Sequence, residues 1–303
     1  MRYLISFMAL FVITSVATLA QPTEETLEHD GLMRNYLIYV PASYTGESSV
    51  PLLFALHGGG GDAEGMIQLT EGGLNTLAEE HQFIVVYPNG INNSWNDGRQ
   101  VDIGKHSTAD DIGFFSMMID EIAGRYTIDE ERVFVTGMSN GGMMSYRLAC
   151  DLSERIAGIA PVAANMSVAL ADECSPEYET DILIMLGSDD PIVPYNGGEI
   201  KVLGSRRGEV LPADAIADFW TAQFHCEGDP STVEYPNTAP FDGTHITEAR
   251  YDICDNGTRV RLMTIHGGGH TWASGLPYLG RLLIGRTSRD VDANSVIWEF
   301  FEG

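Results

Sequence analysis

The stretch RVFVTGMSNGGMMSYRLAC, residues 132–150, decides how this chain is read. Its first half, Arg132 to Gly137, is apolar and β-branched, the composition of a buried strand. Its second half spaces Met143, Met144, Tyr146 and Leu148 as a helix does. Between them stands Gly137-Met138-Ser139-Asn140-Gly141, a GxSxG pattern in the strand–turn–helix context that gives it chemical meaning. A sharp turn there lifts the serine out of the sheet, and glycines leave room for the neighbouring backbone. The helix start adds free N–H groups and a partial positive charge beside the hydroxyl. Ser139 is therefore the candidate nucleophile.

Working outward, short apolar runs at 34–40, 52–57, 83–87, 156–162, 182–187 and 260–265 read as further strands. Several are apolar on both faces, as strands inside a parallel sheet must be. Helical spacing separates them: Phe115, Met118, Ile119 and Ile122 in one place, Ala293, Val296, Ile297, Phe300 and Phe301 in another. The alternation predicts a single α/β domain over 21–303, with a mostly parallel central sheet flanked by helices. The acidic residues 21–30 are expected to be loose. The stretches 195–213 and 227–245 read as excursions over the top of the sheet, where they can shape a pocket.

A nucleophilic serine needs partners. The run 52–57 ends in HGGGG (57–61), where small residues let backbone N–H groups face a developing oxyanion. Gly59 is the candidate donor from this loop, with Gly58 left open, and Asn140 N–H is the second. No GKS or GxGxxG spacing supports a phosphate-binding reading. The acid should follow a later strand. The segment GSDDPIVPY (187–195) offers two carboxylates, Asp189 and Asp190, and the distance from the strand end favours Asp190. The base should come last, and His270 in HGGGHTW (266–272) stands beyond flexible glycines, while His266 ends a strand. Their HxxxH spacing is not read as a metal site, since glycines replace the helix that would put both imidazoles on one face. The order Ser, Asp, His suits acyl transfer through a covalent intermediate. Trp95 and Trp272 are candidate aromatic walls of a substrate pocket, and Asp110 and Asp111 are expected to cap a helix. A binding protein that had lost catalysis would lack a triad member; none is missing.

The bulk numbers bound the setting. Met1-Arg2, an apolar run from Tyr3 to Val16 and the small residues ending at Ala20 have the layout of a secretory signal peptide over 1–20. The run is short for a membrane span, so a secreted protein without a stable membrane anchor is expected. Net charge is −26 over 303 residues, which repels nucleic acid and anionic membranes. Four cysteines, Cys150, Cys174, Cys226 and Cys254, argue for two disulfides in an exported chain. Chain order favours Cys150–Cys174 and Cys226–Cys254, though four cysteines allow three pairings.

Seven segments together carry a family resemblance: HDGLMRNYLIYVP (29–41), LHGGGG (56–61), YPNGINNSWNDGR (87–99), ADDIGFF (109–115), DEERVFVTGMSNGGMMSYRLAC (129–150), GSDDPIVPY (187–195) and GGGHTWASG (267–275). The chain resembles the secreted polyhydroxybutyrate-depolymerase-like and feruloyl esterases, within the carbohydrate esterase family that also holds acetyl xylan esterases. The resemblance implies an α/β-hydrolase fold, no metal or organic cofactor, and a triad at Ser139, Asp190 and His270. It also favours the sequential cysteine pairing. It implies ester substrates carrying hydroxycinnamoyl or acetyl groups on plant polysaccharide, with polyhydroxyalkanoate as the alternative. Two departures stand out: LGSDD (186–190) lacks the usual His before Gly187, and Ala273-Ser274-Gly275 replaces a usual Pro-Gly.

Overall fold

A computed structural model describes residues 20–101, 107–202 and 204–303; the expected signal segment lies outside them except for Ala20. The chain opens with β1 (Thr23–His29), β2 (Leu32–Tyr39) and β3 (Val50–Leu56). Two helices, α1 (Ala63–Leu69) and α2 (Gly73–His81), lead to β4 (Ile84–Pro88). Then come α3 (Asp111–Arg125), β5 (Ile128–Met138), α4 (Asn140–Asp151), β6 (Gly158–Val162), α5 (Val168–Glu173) and β7 (Asp181–Gly187). A hairpin of β8 (Gly198–Val202) and β9 (Ser205–Val210) precedes α6 (Ala213–Gln223), β10 (Ser231–Glu234), β11 (His245–Tyr251) and β12 (Val260–His266). The short α7 (Arg281–Ile284) and α8 (Ala293–Glu302) close the chain.

Among the described residues ten strands form one sheet in the order β1-β2-β4-β3-β5-β6-β7-β12-β11-β10. Its six central strands, β4 to β12 in that order, are parallel. Antiparallel pairs extend it on both sides. The parallel strands β3, β4 and β6 are buried throughout because helices cover both faces. Along β3 the side chains alternate: Leu52, Phe54 and Leu56 join the core under α3, α4 and α6, whereas Leu53 and Ala55 join the core under α1, α2 and α8. On the second face Phe83 stacks on Trp298 at 3.7 Å and Phe134 on Phe301 at 4.5 Å. Stripping such a ring to alanine costs about 3–5 kcal/mol.

One sequence expectation needs correction. Residues 23–29 are a strand, not a loose segment. β1 pairs with β2 along its whole length, and its stability comes from that backbone ladder rather than from burial of its own acidic side chains. The 195–213 excursion is the β8–β9 hairpin, whose alternate residues Ile200 and Val210 are buried. Cys150–Cys174 and Cys226–Cys254 are joined as disulfides, the first tying the end of α4 to the end of α5.

Candidate active site

β5 runs straight into α4 through Ser139, which is held at φ 55°, ψ −118°. A non-glycine residue in that region is strained by about 1–3 kcal/mol. The glycines of the motif make the turn possible by close approach. A Cβ on Gly137 would lie 2.6 Å from the Gly141 carbonyl carbon, and one on Gly141 would collide with the carbonyl oxygens of Leu56 and His57. The β5–α4 turn is thereby pressed against the end of β3, and a Cβ on Gly58 would stand 3.5 Å from the Ser139 Cβ.

β7 and β12 are parallel neighbours, so the loops after them meet. A Cβ on Gly187 would sit 2.5 Å from the carbonyl oxygens of Gly268 and Gly269, which is how tightly those loops cross. The crossing brings Asp190, not Asp189, to His270. Asp190 Oδ2 lies 2.7 Å from His270 Nδ1, with both side chains only 3% exposed. The other Asp190 oxygen accepts from Ile192 N–H at 2.7 Å and Val193 N–H at 2.9 Å, which locks the carboxylate. Asp189 is 60% exposed and faces Arg286 at 3.6 Å. With Nδ1 bound to a carboxylate, His270 keeps Nε2 as its other nitrogen for work in the cavity. Its main chain is fixed by its N–H to Ile284 O and by the Tyr278 hydroxyl, which donates to His270 O at 3.2 Å. Burial, and then the nearby Asp190 charge, push the Tyr278 phenol up, so it stays a donor.

The glycine loop after β3 is fixed peptide by peptide. Gly60 N–H donates to Asn93 O and Gly61 N–H to Gly58 O. Those two N–H groups are committed to the backbone. The His57 carbonyl accepts from Trp95 Nε1 at 2.9 Å, and the Gly58 carbonyl accepts from His57 Nδ1 at 2.8 Å. In a trans peptide the N–H points opposite its carbonyl, so these bonds fix the directions of Gly58 N–H and Gly59 N–H. His57 Nε2 accepts from Gly90 N–H at 3.0 Å, which leaves the proton on Nδ1. Burial holds His57 below the usual histidine range, against the pull of Gly58 O, and keeps it neutral.

Ser139, Asn140, His270, Gly58 and Gly59 all line one cavity of about 640 Å³. Its walls are largely apolar: Met66, Leu69, Met143, Val193, Ile200 and Leu279. The β8–β9 hairpin contributes Ile200, Val202 and Arg207, while the 227–245 excursion contributes none of the lining. The structure does not bring the two tryptophans there. Trp95 is fully buried beneath the glycine loop, its ring tilted by 37° against His57 with centroids 4.9 Å apart. Trp272 is buried on the other side, its indole donating to Asn294 Oδ1 at 3.2 Å. Trp272 stands beside His270 and Trp95 lies in SWNDG, which made them candidates, but position in the sequence does not give the direction of a ring. Sequence reading missed His57 and Asp97 as site-shaping residues; the signal available was their position inside LHGGGG and SWNDGR. Among the described residues no group of three or more His, Cys, Asp and Glu side chains could hold a metal ion.

The chain is similar to known proteins in sequence and in fold. The family model described as esterase PHB depolymerase matches residues 34–193, more than half of the chain. The putative esterase NocK of Nocardia uniformis subsp. tsuyamanensis is 29% identical over 258 residues, covering 84% of this chain and 74% of its own. Feruloyl esterase B of Piromyces equi is 29% identical over 80% of this chain, which spans only 43% of that longer protein. Feruloyl esterase D of Neurospora crassa is 25% identical, covering 94% and 87% of the two chains. In fold, the solved acetyl xylan esterase from Aspergillus awamori superposes with a TM-score of 0.60 at 16% identity, over 92% of this chain and 99% of its own. With its mostly parallel sheet, its serine on a strained strand-to-helix turn and a family match that spans that turn, the chain belongs to the esterase PHB depolymerase family and is an esterase of the α/β-hydrolase fold.

Proposed function

We propose that the chain is a secreted serine esterase that works through an acyl-enzyme, with Ser139 as nucleophile, His270 as general base and Asp190 as the orienting acid. The buried Asp190–His270 pair opening on the same cavity as the strained Ser139 is the observation that carries this reading. His270 Nε2 takes the serine proton as Oγ attacks the ester carbonyl, and Asp190 stabilises the imidazolium. Gly59 N–H and Asn140 N–H receive the oxyanion, with Gly58 N–H beside them. The imidazolium then protonates the leaving alcohol. Water repeats the cycle on the acyl-enzyme and releases the acid. Residues 1–20 act as a cleaved leader, so the exported protein is expected to begin at Gln21.

The substrate we favour is a hydroxycinnamoyl or acetyl ester of plant polysaccharide. A cavity of about 640 Å³ with apolar walls suits an aromatic acyl group, and relatives are named as feruloyl esterases. A specific observation favours a second reading, a polyester or oligoester. Leu279 and Tyr278 at the cavity are about half exposed and continue into Leu276, Leu283 and the fully exposed Leu282, an apolar rim that suits an aliphatic chain. Rates on methyl ferulate, acetylated xylan, a short p-nitrophenyl ester and hydroxybutyrate oligomers separate the two. Ser139→Ala should lower the rate on every one by about 10³-fold or more with the fold intact. Normal turnover by that variant would sink the mechanism, and preference for hydroxybutyrate would replace the polysaccharide reading.

A further inference from the structure

The loop after β4, SWNDGR (94–99), touches both halves of the proposed oxyanion hole. On one side Trp95 Nε1 holds the His57 carbonyl, as described. On the other side the loop encloses the Asn140 side chain completely. Asn140 Oδ1 accepts from Trp95 N–H at 2.8 Å and from Ser94 Oγ at 3.2 Å. Asn140 Nδ2 donates to Trp95 O at 3.2 Å and to Asp97 Oδ2 at 2.6 Å. An amide has two donor hydrogens and two acceptor lone pairs, and here all four are matched. Its shortest bond is the charge-assisted one to Asp97.

Asp97 is 0% exposed. A buried carboxylate is costly unless paired, and this one is: Arg99 Nη2 lies 2.7 Å from Oδ2, with Arg99 Nε at 2.9 Å and Arg99 N–H on Oδ1 at 3.1 Å. Arg99 also lines the cavity. The loop is anchored from behind as well, since Asn96 N–H donates to the buried Asp111 at 2.7 Å and Arg147 donates to Asn96 O at 2.6 Å. Asp111 in turn pairs with buried Arg34 at 2.8 Å.

We infer that Asp97 is a positioning residue of the oxyanion hole, acting through the Asn140 side chain to aim the Asn140 N–H at the reacting carbonyl oxygen. The inference rests on the proposed function, in which Asn140 N–H receives the oxyanion. Asn140 begins α4 directly after the strained Ser139, where the backbone has no earlier helical turn to hold it. The side-chain cage supplies that hold. Fixing the amide in advance spares the reaction the cost of reorganising the donor as charge develops. Asp97 and Trp95 do not line the cavity, so losing their hold on Asn140 is expected to weaken the transition state and not ground-state binding.

A double-mutant cycle on the full chain tests this, with Asp97→Asn, Asn140→Ala and the pair, assayed on a short p-nitrophenyl ester. Asn140→Ala keeps the backbone donor and removes only the caged amide. It should lower kcat about 100-fold, the scale of a misplacement of about 1 Å, with KM within about threefold. Asp97→Asn should lose a comparable factor, and the double variant should be no worse than Asn140→Ala. Undiminished kcat in Asn140→Ala, or losses that multiply in the double variant, would overturn the inference. So would a change confined to KM. If Asp97→Asn fails to fold, the kcat and KM of Asn140→Ala decide alone. Ser139→Ala separates the two levels: if it is inactive while the cycle is additive, only the role of Asp97 falls.

Discussion

At Ser139 the chain places a serine where glycine would be at ease, and the surrounding contacts hold it there. Residue identity alone gives the motif; the strain comes from β3, whose end leaves no space for a side chain at Gly141. Beside it, two adjacent aspartates differ in surroundings rather than in kind. Asp190 accepts two backbone N–H groups and faces His270, whereas Asp189 stands in solvent. Asp190→Asn is expected to lower kcat by about 10³–10⁴-fold, because the amide would present the wrong partner to Nδ1–H. Asp189→Asn should stay within a few-fold of the parent. Steady-state rates of the two variants on one ester check this, and the reverse order would move the acid by one residue.

Elements were legible in the sequence where burial is two-sided. β3, β4 and β6 are apolar runs because helices cover both faces, and an unbroken apolar run between turn residues points to a strand of that kind. β1 was not legible, because its pairing energy lies in the backbone and its side chains are mostly acidic and exposed. The candidate site divides in the same way: Ser139, Asp190 and His270 sit at strand ends that a sequence can locate, whereas Trp95 and Trp272 point away from the cavity by turns that it cannot. At α3 the expected cap is shared unequally. Asp110 accepts from Gly113 N–H at 3.0 Å, while Asp111 turns inward to Arg34. The Gly113 bond, opposed by partial burial and helped by His29, holds the Asp110 carboxyl below its ordinary value of 3.8. A lowered folded value means stabilisation that is complete above the ordinary range and fades as pH falls through the lowered one. Asp110→Ala should therefore cost about 1 kcal/mol near neutrality. That difference should vanish in strong acid, as read by denaturant unfolding across pH.

For the whole molecule, both disulfides lie between residues 150 and 254, with sequence separations of 24 and 28 residues. Loops of that size are worth about 3.5 kcal/mol each in chain entropy, so reduction should lower Tm by several degrees, as calorimetry with and without reductant would show. An unchanged Tm would mean that the bridges add nothing. The net charge of −26 agrees with a protein that meets esters rather than polyanions. The outermost strands carry the last consequence. One rim of the sheet is β1, which presents Glu24, Glu25 and Glu28, and the other is β10, four residues long. A ten-stranded sheet with open rims would invite further strands to add to it, fibre-fashion. Like charges on one rim and shortness on the other refuse that growth, so the molecule can be concentrated around a substrate without its sheets joining end to end.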